Sequence, residues 1–144
     1  MNEEYYANMF SLQDKVVIVT GGAGIIGAQF CKGMATYGAK VAIAELDLEA
    51  GQNLSREINA VHGDVAYAVS CDVSDPISVA AMTDEVAARS GGIDVLFNNV
   101  SGKPDDLTKF LAPFEEYELE TWQKAMSVSL DGIFLVAQAV GRHM

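Results

Sequence analysis

Short apolar runs alternate along the chain with longer stretches in which apolar residues recur at helical spacing. The first run, Lys15–Thr20, is rich in β-branched residues and ends on glycines, which is typical of a buried parallel strand. A helix is predicted directly after it, and Gly38 would end this helix in a left-handed conformation. The apolar positions of the predicted helix are Ile25, Ile26, Phe30, Met34 and Tyr37.

The same pattern of strand and helix then repeats. A second strand is predicted over Lys40–Glu45, and a second helix over Leu48–Ile58 should place Leu54 and Ile58 on its inner face. The later elements are a third strand, a third helix that opens with a proline and a fourth strand, predicted at Val65–Cys71, Asp75 to about Arg89, and Ile93–Phe97. Strands separated by helices favour right-handed crossovers, so we expect an α/β fold with a doubly wound parallel sheet.

The last part of the chain combines a polar segment with a strongly apolar helix. The segment Asn98–Tyr117 contains two prolines and is predicted to be a long loop, a kind of segment that often carries function. The final helix should begin near Leu119 and turn a 3.6-residue apolar stripe toward the sheet. The stripe consists of Trp122, Met126, Leu130, Ile133, Phe134, Ala137 and Val140.

Composition narrows the classes of partner. The 144 residues are 50% hydrophobic, enough for the core of one domain, and the net charge of −11 without a basic cluster argues against nucleic acids and anionic membranes. No apolar run reaches the roughly 18 residues of a membrane span, and the acidic N-terminus does not resemble a signal peptide, so a cytoplasmic setting is expected. Cys31 and Cys71 lack any metal-ligand spacing, which predicts buried thiols and no metal site.

The strongest chemical signal is the glycine-rich run between the first strand and the first helix. Residues 22–27 read GAGIIG, a GxGxxG pattern that Gly21 and Thr20 extend backward. Glycines there allow a tight turn and a close approach of the backbone to a pyrophosphate, while free amides at the helix start attract the anion. The placement predicts a Rossmann-like, NAD(P)-binding domain over residues 1–144, although a merely glycine-rich turn is the alternative.

An acidic residue at the end of the second strand completes this fingerprint. Glu45 lies 18 residues after Gly27, close to the expected spacing of about 20, and its carboxylate would bind ribose hydroxyls and repel a 2′-phosphate. The cofactor should therefore be NAD in preference to NADP. Asp47 competes for this role, and Glu45 could also be an ordinary exposed acid.

These motifs, together with CDV at Cys71–Val73, FNNVSG at Phe97–Gly102 and the final helix, resemble the short-chain dehydrogenase/reductase family. The resemblance implies hydride transfer between NAD(H) and an alcohol or carbonyl substrate. It also implies that Asp72 binds the adenine amino group, that Val73 packs beside the ring and that Asn98 braces the fourth strand and the cofactor turn. The implied cofactor-binding set is Gly21, Gly22, Gly24, Ile25, Ile26, Gly27, Glu45, Leu46, Asp72, Val73, Asn99 and Val100. Asp72 could instead be a helix or turn cap, and the two asparagines only turn formers.

Three positions depart from the pattern of the compact members of that family. Ile25 replaces a glycine, giving a spacing commoner in extended members that modify sugar nucleotides, so an epimerase or dehydratase stays an alternative. Val100-Ser101 replaces Ala-Gly near the expected nicotinamide ribose. Ser129 stands where the resemblance places a catalytic asparagine that kinks the helix, and a hydroxyl offers less than an amide's paired donor and acceptor.

The family's catalytic Tyr-x-x-x-Lys pair is absent from the 144 residues, since no tyrosine precedes a lysine by four positions. We therefore expect the cofactor-binding half of the fold, truncated after the fourth strand and its following helix. A fragment that binds nucleotide or oligomerises without catalysis is the alternative. The fourth strand, Ile93–Phe97, would then be an apolar unpaired edge, which predicts a homo-oligomer.

Overall fold

The computed structural model describes residues 8–102 and 106–144. Its four strands are β1 (Val16–Thr20), β2 (Lys40–Glu45), β3 (Ala66–Ser70) and β4 (Val95–Phe97). Its helices are α1 (Ile25–Thr36), α2 (Leu48–His62), α3 (Pro76–Ser90), α4 (Leu107–Phe110), α5 (Leu119–Met126) and α6 (Gly132–Val140), with a 3₁₀ turn at Phe114–Glu116 and a π-helical segment at Ser127–Asp131.

All pairings in the sheet are parallel, in the order β3-β2-β1-β4, so that Val17 of β1 pairs with Val41 on one side and Val95 on the other. Alternate residues of β1 serve opposite faces, as the two-residue period of a strand requires. Val17 and Val19 pack in the core with α1 and α2, while Val16 and Ile18 pack in the core with α3 and α6. The predicted Rossmann-like, doubly wound α/β sheet is confirmed.

Several local expectations are also confirmed. Gly38 follows the end of α1 with a φ of 96°, a left-handed value that disfavours other residues. Leu54 and Ile58 are 7% and 2% exposed on the inner face of α2. The side chain of Asp75 accepts a hydrogen bond from the Ile77 amide and caps α3, whose first residue is Pro76.

The polar segment after β4 is more ordered than a loop. Asp106 Oδ1 accepts hydrogen bonds from the amides of Thr108 and Lys109, at 2.8 and 3.4 Å, and so starts the one-turn helix α4. A 3₁₀ turn at Phe114–Glu116 follows Pro113. The prediction of one continuous loop over Asn98–Tyr117 is therefore wrong from residue 106 on, while residues 103–105 lie outside the described part. A local aspartate cap was enough to nucleate the short helix.

The prediction that the final apolar stripe faces the sheet is wrong for most of its members. Trp122, Leu130 and Phe134 are 53%, 63% and 61% exposed, and of the seven stripe residues only Val140 is fully buried. The buried face of α6 instead begins at Gly132, where an added Cβ would come within 2.7 Å of Val73 Cγ2. The wider turn of the π-helical segment changes which face of the following helix points to the sheet. Gly132, which has no side chain, allows the closest approach there.

Candidate functional site

A cavity of about 850 Å³ lies where the carboxyl ends of the strands meet. This volume falls within the roughly 300–1,000 Å³ typical of small-molecule and cofactor sites. Open parallel sheets bind ligands at this edge, where neighbouring crossovers diverge. Residues that follow all four strands line the cavity: Gly21 after β1, Glu45 to Asp47 at β2, Cys71 to Ser74 after β3, and Val100 to Gly102 after β4.

The glycine turn that joins β1 to α1 is closely packed. Gly21 has a φ of 60°, and an added Cβ there would lie 3.1 Å from the Cα of Val100. At Gly27 an added Cβ would overlap the carbonyl oxygen of Gly21 and lie 2.9 Å from Asn99 Nδ2. The first glycine is required by backbone conformation and the last by the seating of α1 against the strand.

The start of α1 differs from the starts of the next two helices. Asp47 and Asp75 cap α2 and α3, each with a side-chain oxygen that accepts a backbone N–H. Gly24 occupies the corresponding place before α1 and offers no side-chain cap. The amides in the first turn of α1 are left available to an anionic ligand, and the positive end of the helix dipole favours such a ligand.

Two polar side chains brace the turn from the direction of β4. The fully buried Thr20 hydroxyl accepts hydrogen bonds from the amides of Asn99 and Val100, at 3.1 and 3.3 Å. Asn99 Nδ2 donates to the carbonyls of Thr20 and Gly21, both at 3.1 Å. The bracing role assigned to Asn98 was therefore wrong by one position. Asn98 points the other way, and its Nδ2 donates to the carbonyl of Ile133 in α6 at 3.5 Å.

Glu45 connects the end of β2 to the glycine turn. Its Oε2 accepts a hydrogen bond from the Ala23 amide and its Oε1 accepts one from the Leu46 amide, each at 3.0 Å. Asp47, the competing acid, uses Oδ1 to cap α2 through the Ala50 amide at 3.1 Å. Both residues line the cavity, but of the two side chains only that of Glu45 is hydrogen-bonded to the glycine turn.

Asp72 and Val73 line the cavity after β3. Asp72 Oδ1 accepts hydrogen bonds from the amide and hydroxyl of Ser74, at 2.9 and 2.6 Å, so this carboxylate does order a turn, as the alternative interpretation proposed. Asp75, not Asp72, is the helix cap. Val73 is buried, and its side chain packs against Gly132 of α6.

Ser129 lies within the π-helical segment, so the irregularity expected at this position exists with a serine in place of asparagine. Its hydroxyl accepts a hydrogen bond from the Gly102 amide at 2.9 Å. Gly102 lines the cavity and packs closely on Ala125, whose carbonyl oxygen would lie 3.1 Å from an added Cβ. Ser129 itself does not line the cavity, and its hydroxyl holds the loop after β4 against the helix.

The twelve predicted cofactor-binding residues fall into two groups. Those that line the cavity are Gly21, Glu45, Leu46, Asp72, Val73 and Val100. Those that shape it from behind or beside are Gly22, Gly24, Ile25, Ile26, Gly27 and Asn99. The side chain of Ile25 is 92% exposed at the first position of α1, so only its backbone belongs to the turn.

Sequence reasoning missed the wall that α4 and α5 provide. Lys109 and Phe110 of α4 line the cavity together with Asp106, which precedes this helix. Thr121 and Lys124 of α5 also line it, together with Glu118, which precedes that helix. Lys109 Nζ lies 2.8 Å from Glu118 Oε2, and this hydrogen-bonded ion pair raises the pKa of the lysine. Asp106 directly before Leu107 was the available signal, since aspartate is a favoured residue at a helix N-cap.

The cysteines are buried thiols, as predicted. Burial raises the pKa of Cys31 to about 12, and burial together with the nearby Asp72 carboxylate raises that of Cys71 to about 11. Both stay protonated at neutral pH and are poor nucleophiles, although Cys71 lines the cavity. Within residues 8–102 and 106–144, no cluster of three or more His, Cys, Asp or Glu side chains could hold a metal ion.

This combination of a doubly wound parallel sheet, a glycine turn at its first crossover and an acid at the end of β2 defines a dinucleotide-binding class of fold. Residues 15–144 match the family model described as short chain dehydrogenase. The chain belongs to the short-chain dehydrogenase family.

Similar proteins include D-threitol dehydrogenase of Mycolicibacterium smegmatis, which is 38% identical over 94% of this chain and 49% of that protein. Sorbitol dehydrogenase of Cereibacter sphaeroides is 34% identical over 92% of this chain and 48% of that protein. Among solved structures, an NAD⁺-bound xylitol dehydrogenase is similar with a TM-score of 0.84 and 29% identity, over 92% of this chain and 49% of that one. The chain thus spans about half the length of these relatives. None of the helices in its described part is long and apolar enough to cross a membrane.

Proposed function

We propose that this chain forms the NAD-binding half of an oxidoreductase that transfers hydride between NAD(H) and an alcohol or carbonyl carbon. The observation that carries the proposal is the glycine turn at an uncapped helix start, joined to Glu45 at one edge of the cavity. Named relatives that act on threitol and sorbitol favour a small polyol or sugar as substrate class.

Each part of the cavity has a role in this proposal. The uncapped amides at the start of α1 bind the pyrophosphate, and Glu45 accepts hydrogen bonds from the ribose hydroxyls. Asp72 and Val73 contact the adenine. Val100 lies beside Gly21 on the side of β4, where the nicotinamide ribose would pass. The bound nicotinamide supplies the acceptor or donor of hydride, while these residues bind and orient it.

Charge supports NAD over NADP. The side chains of Glu45, Asp47 and Asp72 all belong to residues that line the same cavity. A 2′-phosphate on the adenosine ribose would add a second dianionic group next to these carboxylates in a partly desolvated site. The unmodified ribose of NAD instead offers two hydroxyl donors.

Binding without turnover is the second candidate function. It concerns the 144 residues taken alone, which contain no Tyr-x-x-x-Lys pair, and a free phenol with a pKa near 10 is a poor acid or base at neutral pH without a neighbouring cation. The sugar-nucleotide alternative has only the spacing of Gly21, Gly24 and Gly27 in its favour.

We also propose a homo-oligomer in a reducing, cytoplasmic setting. The exposed apolar side chains of α5 and α6 lie on the helices that follow the β4 edge, and a second copy of the chain would cover them. Two free thiols fit a reducing compartment.

Calorimetric titration with NADH and NADPH tests the function directly. We expect NADH to bind at least about tenfold more tightly, a difference of about 1.4 kcal/mol. Gly27→Ala should abolish binding of both, because the new Cβ overlaps the turn. Gly33→Ala is the matched control on the same helix, since an added Cβ there meets nothing within 4 Å. Wild-type protein that binds neither dinucleotide, or prefers NADPH, would contradict the proposal.

A further inference from the structure

We infer that Glu45 is also a positioning residue, whose carboxylate fastens the glycine turn to the end of β2 before any cofactor arrives. This role deepens the proposed function, since the same carboxylate would select NAD. It depends on two hydrogen bonds that the carboxylate accepts from the chain's own backbone, from the Ala23 amide to Oε2 and from the Leu46 amide to Oε1.

The backbone of the turn shows why a side chain is needed there. The amides of Gly21 and Gly22 donate to the carbonyl of Ala44, at 2.9 and 3.5 Å, and the Gly24 amide donates to Gly21 at 3.1 Å. The Ala23 amide, between them, has the Glu45 carboxylate as its acceptor at 3.0 Å. Three glycines within four residues make this turn costly to order, so a bond at its one non-glycine position has a large share in fixing it.

The positioning role leaves room for the ribose. A carboxylate offers about four acceptor sites, and the two backbone amides use one on each oxygen. A second site on each oxygen stays available for the two ribose hydroxyls. The half-buried carboxylate also lies next to the amino-terminal end of α1, where the helix dipole stabilises a negative charge.

Changes at this position should therefore have two separable consequences. Glu45→Ala removes the charge and the acceptor, so it should weaken both NADH and NADPH binding instead of converting the preference. Glu45→Gln removes the charge but keeps one carbonyl oxygen that can accept the Ala23 N–H. The glutamine variant should retain order in the turn while it loses discrimination against the 2′-phosphate.

Hydrogen exchange of individual amides, followed by NMR without cofactor, tests the positioning role. The Ala23 amide should exchange at least roughly tenfold faster in Glu45→Ala, because its hydrogen bond to a charged acceptor is lost and such bonds are stronger than those between neutral groups. Glu45→Gln should restore most of the protection. Asp47→Ala is the matched control: it removes the α2 cap and should speed exchange at Ala50 but not at Ala23.

Titrations of the same variants with NADH and NADPH separate this inference from the proposed function. The expected result is a ratio of NADH to NADPH affinity that falls in Glu45→Gln while its Ala23 protection persists. Unchanged Ala23 exchange in Glu45→Ala would overturn the positioning role, even if NADH binding were lost. If the wild type binds neither dinucleotide but Ala23 protection still depends on Glu45, the positioning role stands and the proposed function fails. Should Glu45→Ala not fold, Glu45→Leu takes its place, because it removes both acceptor oxygens but keeps the bulk of the side chain. Faster Ala23 exchange in Glu45→Leu than in Asp47→Ala supports the role, and equal exchange overturns it.

Discussion

The two edge strands of the sheet, β3 and β4, differ in whether nearby polar groups have hydrogen-bonding partners. At the β3 edge, the side chain of Asn59 in α2 makes hydrogen bonds to backbone groups that have no neighbouring strand on their side of the described sheet. Its Oδ1 accepts hydrogen bonds from the amides of Val65 and Ala66, and its Nδ2 donates to the carbonyl of Ala66 at 2.8 Å. The Val65 carbonyl accepts a hydrogen bond from the Val41 amide of β2. Because backbone groups alternate in direction along a strand, the amide and carbonyl of Ala66 point away from β2. The first outward-facing backbone groups of this edge are therefore satisfied without a further strand.

The β4 edge has no comparable device in the part of the chain that the structure describes. β4 has three residues, all half-buried, and pairs with β1 alone. Just beyond it, Asn98 Oδ1 is buried without a hydrogen-bonding partner among the described residues. Leu130 in the π-helical segment and Phe134 in α6 are both more than half exposed.

The difference shows where further protein is expected. A buried polar atom without a partner and an apolar helix face both carry a free-energy cost that contact with additional chain would remove. At the start of β3, by contrast, the side-chain amide of Asn59 already satisfies the outward backbone groups. Unsatisfied groups therefore locate an interface better than the apolar character of a strand does.

The largest effect on stability should come from removing the Asn59 side chain, which makes hydrogen bonds to the backbone at the β3 edge. Asn59→Ala leaves three backbone hydrogen bonds unmade, and we expect the free energy of unfolding to fall by about 2–3 kcal/mol. Urea denaturation followed by circular dichroism measures this change. Asn53→Ala, an exposed position on the same helix, is the matched control and should cost less than about 0.5 kcal/mol. Equal losses in the two variants would show that the β3 edge is not held in this way.

The next largest effect concerns self-association of the proposed oligomer through the helix surface near the β4 edge. Phe134→Asp places a charge on the exposed face of α6 and should weaken self-association at least about tenfold, or about 1.4 kcal/mol, with little change in folding. Ile77→Asp is the control, since Ile77 is 79% exposed on α3. Light scattering across a dilution series gives the association constant. A wild type that is monomeric at micromolar concentration would contradict the oligomer.

The architecture could be predicted from sequence because its signals are local and repeated. β-branched runs, helix caps such as Asp75-Pro76 and the glycine at position 38 each act within a few residues. Glu45 was found in the same way, since the fingerprint fixes its distance from the glycines. Its bond to Ala23 was not, because it depends on how the turn folds back over β2.

The errors arose where packing decides between faces of one helix. Hydrophobicity selected the bulky stripe through Phe134 as the buried face, whereas close approach at Gly132 selected the opposite face. The choice between Asn98 and Asn99 as the brace was of the same kind: adjacent identical side chains point to opposite sides of the strand end. Only the three-dimensional pairing with Thr20 distinguishes them.

A smaller effect on the β3 side tests the packing around Tyr67. This ring is 7% exposed, lies under the Arg89 guanidinium at 3.9 Å, and its hydroxyl is 2.8 Å from Ser90 Oγ. Tyr67→Phe keeps the ring but leaves the serine without its partner, so we expect a loss of about 1 kcal/mol in unfolding free energy. Tyr37→Phe makes the same change at a tyrosine that is 58% exposed and should be neutral. A neutral Tyr67→Phe would mean that α3 closes this edge through ring packing alone.

The smallest effect is a pH dependence at the start of β4. Asp94 accepts hydrogen bonds from the Val16 amide at 2.8 Å and from Lys15 Nζ at 3.0 Å, and these, the amide first, lower its pKa below 3.8. A carboxyl whose pKa is lowered in the folded state stabilises the fold above its unfolded pKa, and this stabilisation is lost as the pH falls through the folded pKa. The Tm difference between wild type and Asp94→Asn should therefore be constant at neutral pH and shrink below about pH 4. Asp64→Asn, at an exposed position outside the β4 pairing, should show no such convergence. A difference that persists at low pH would mean that β4 is held to β1 by its backbone ladder and not by this carboxylate.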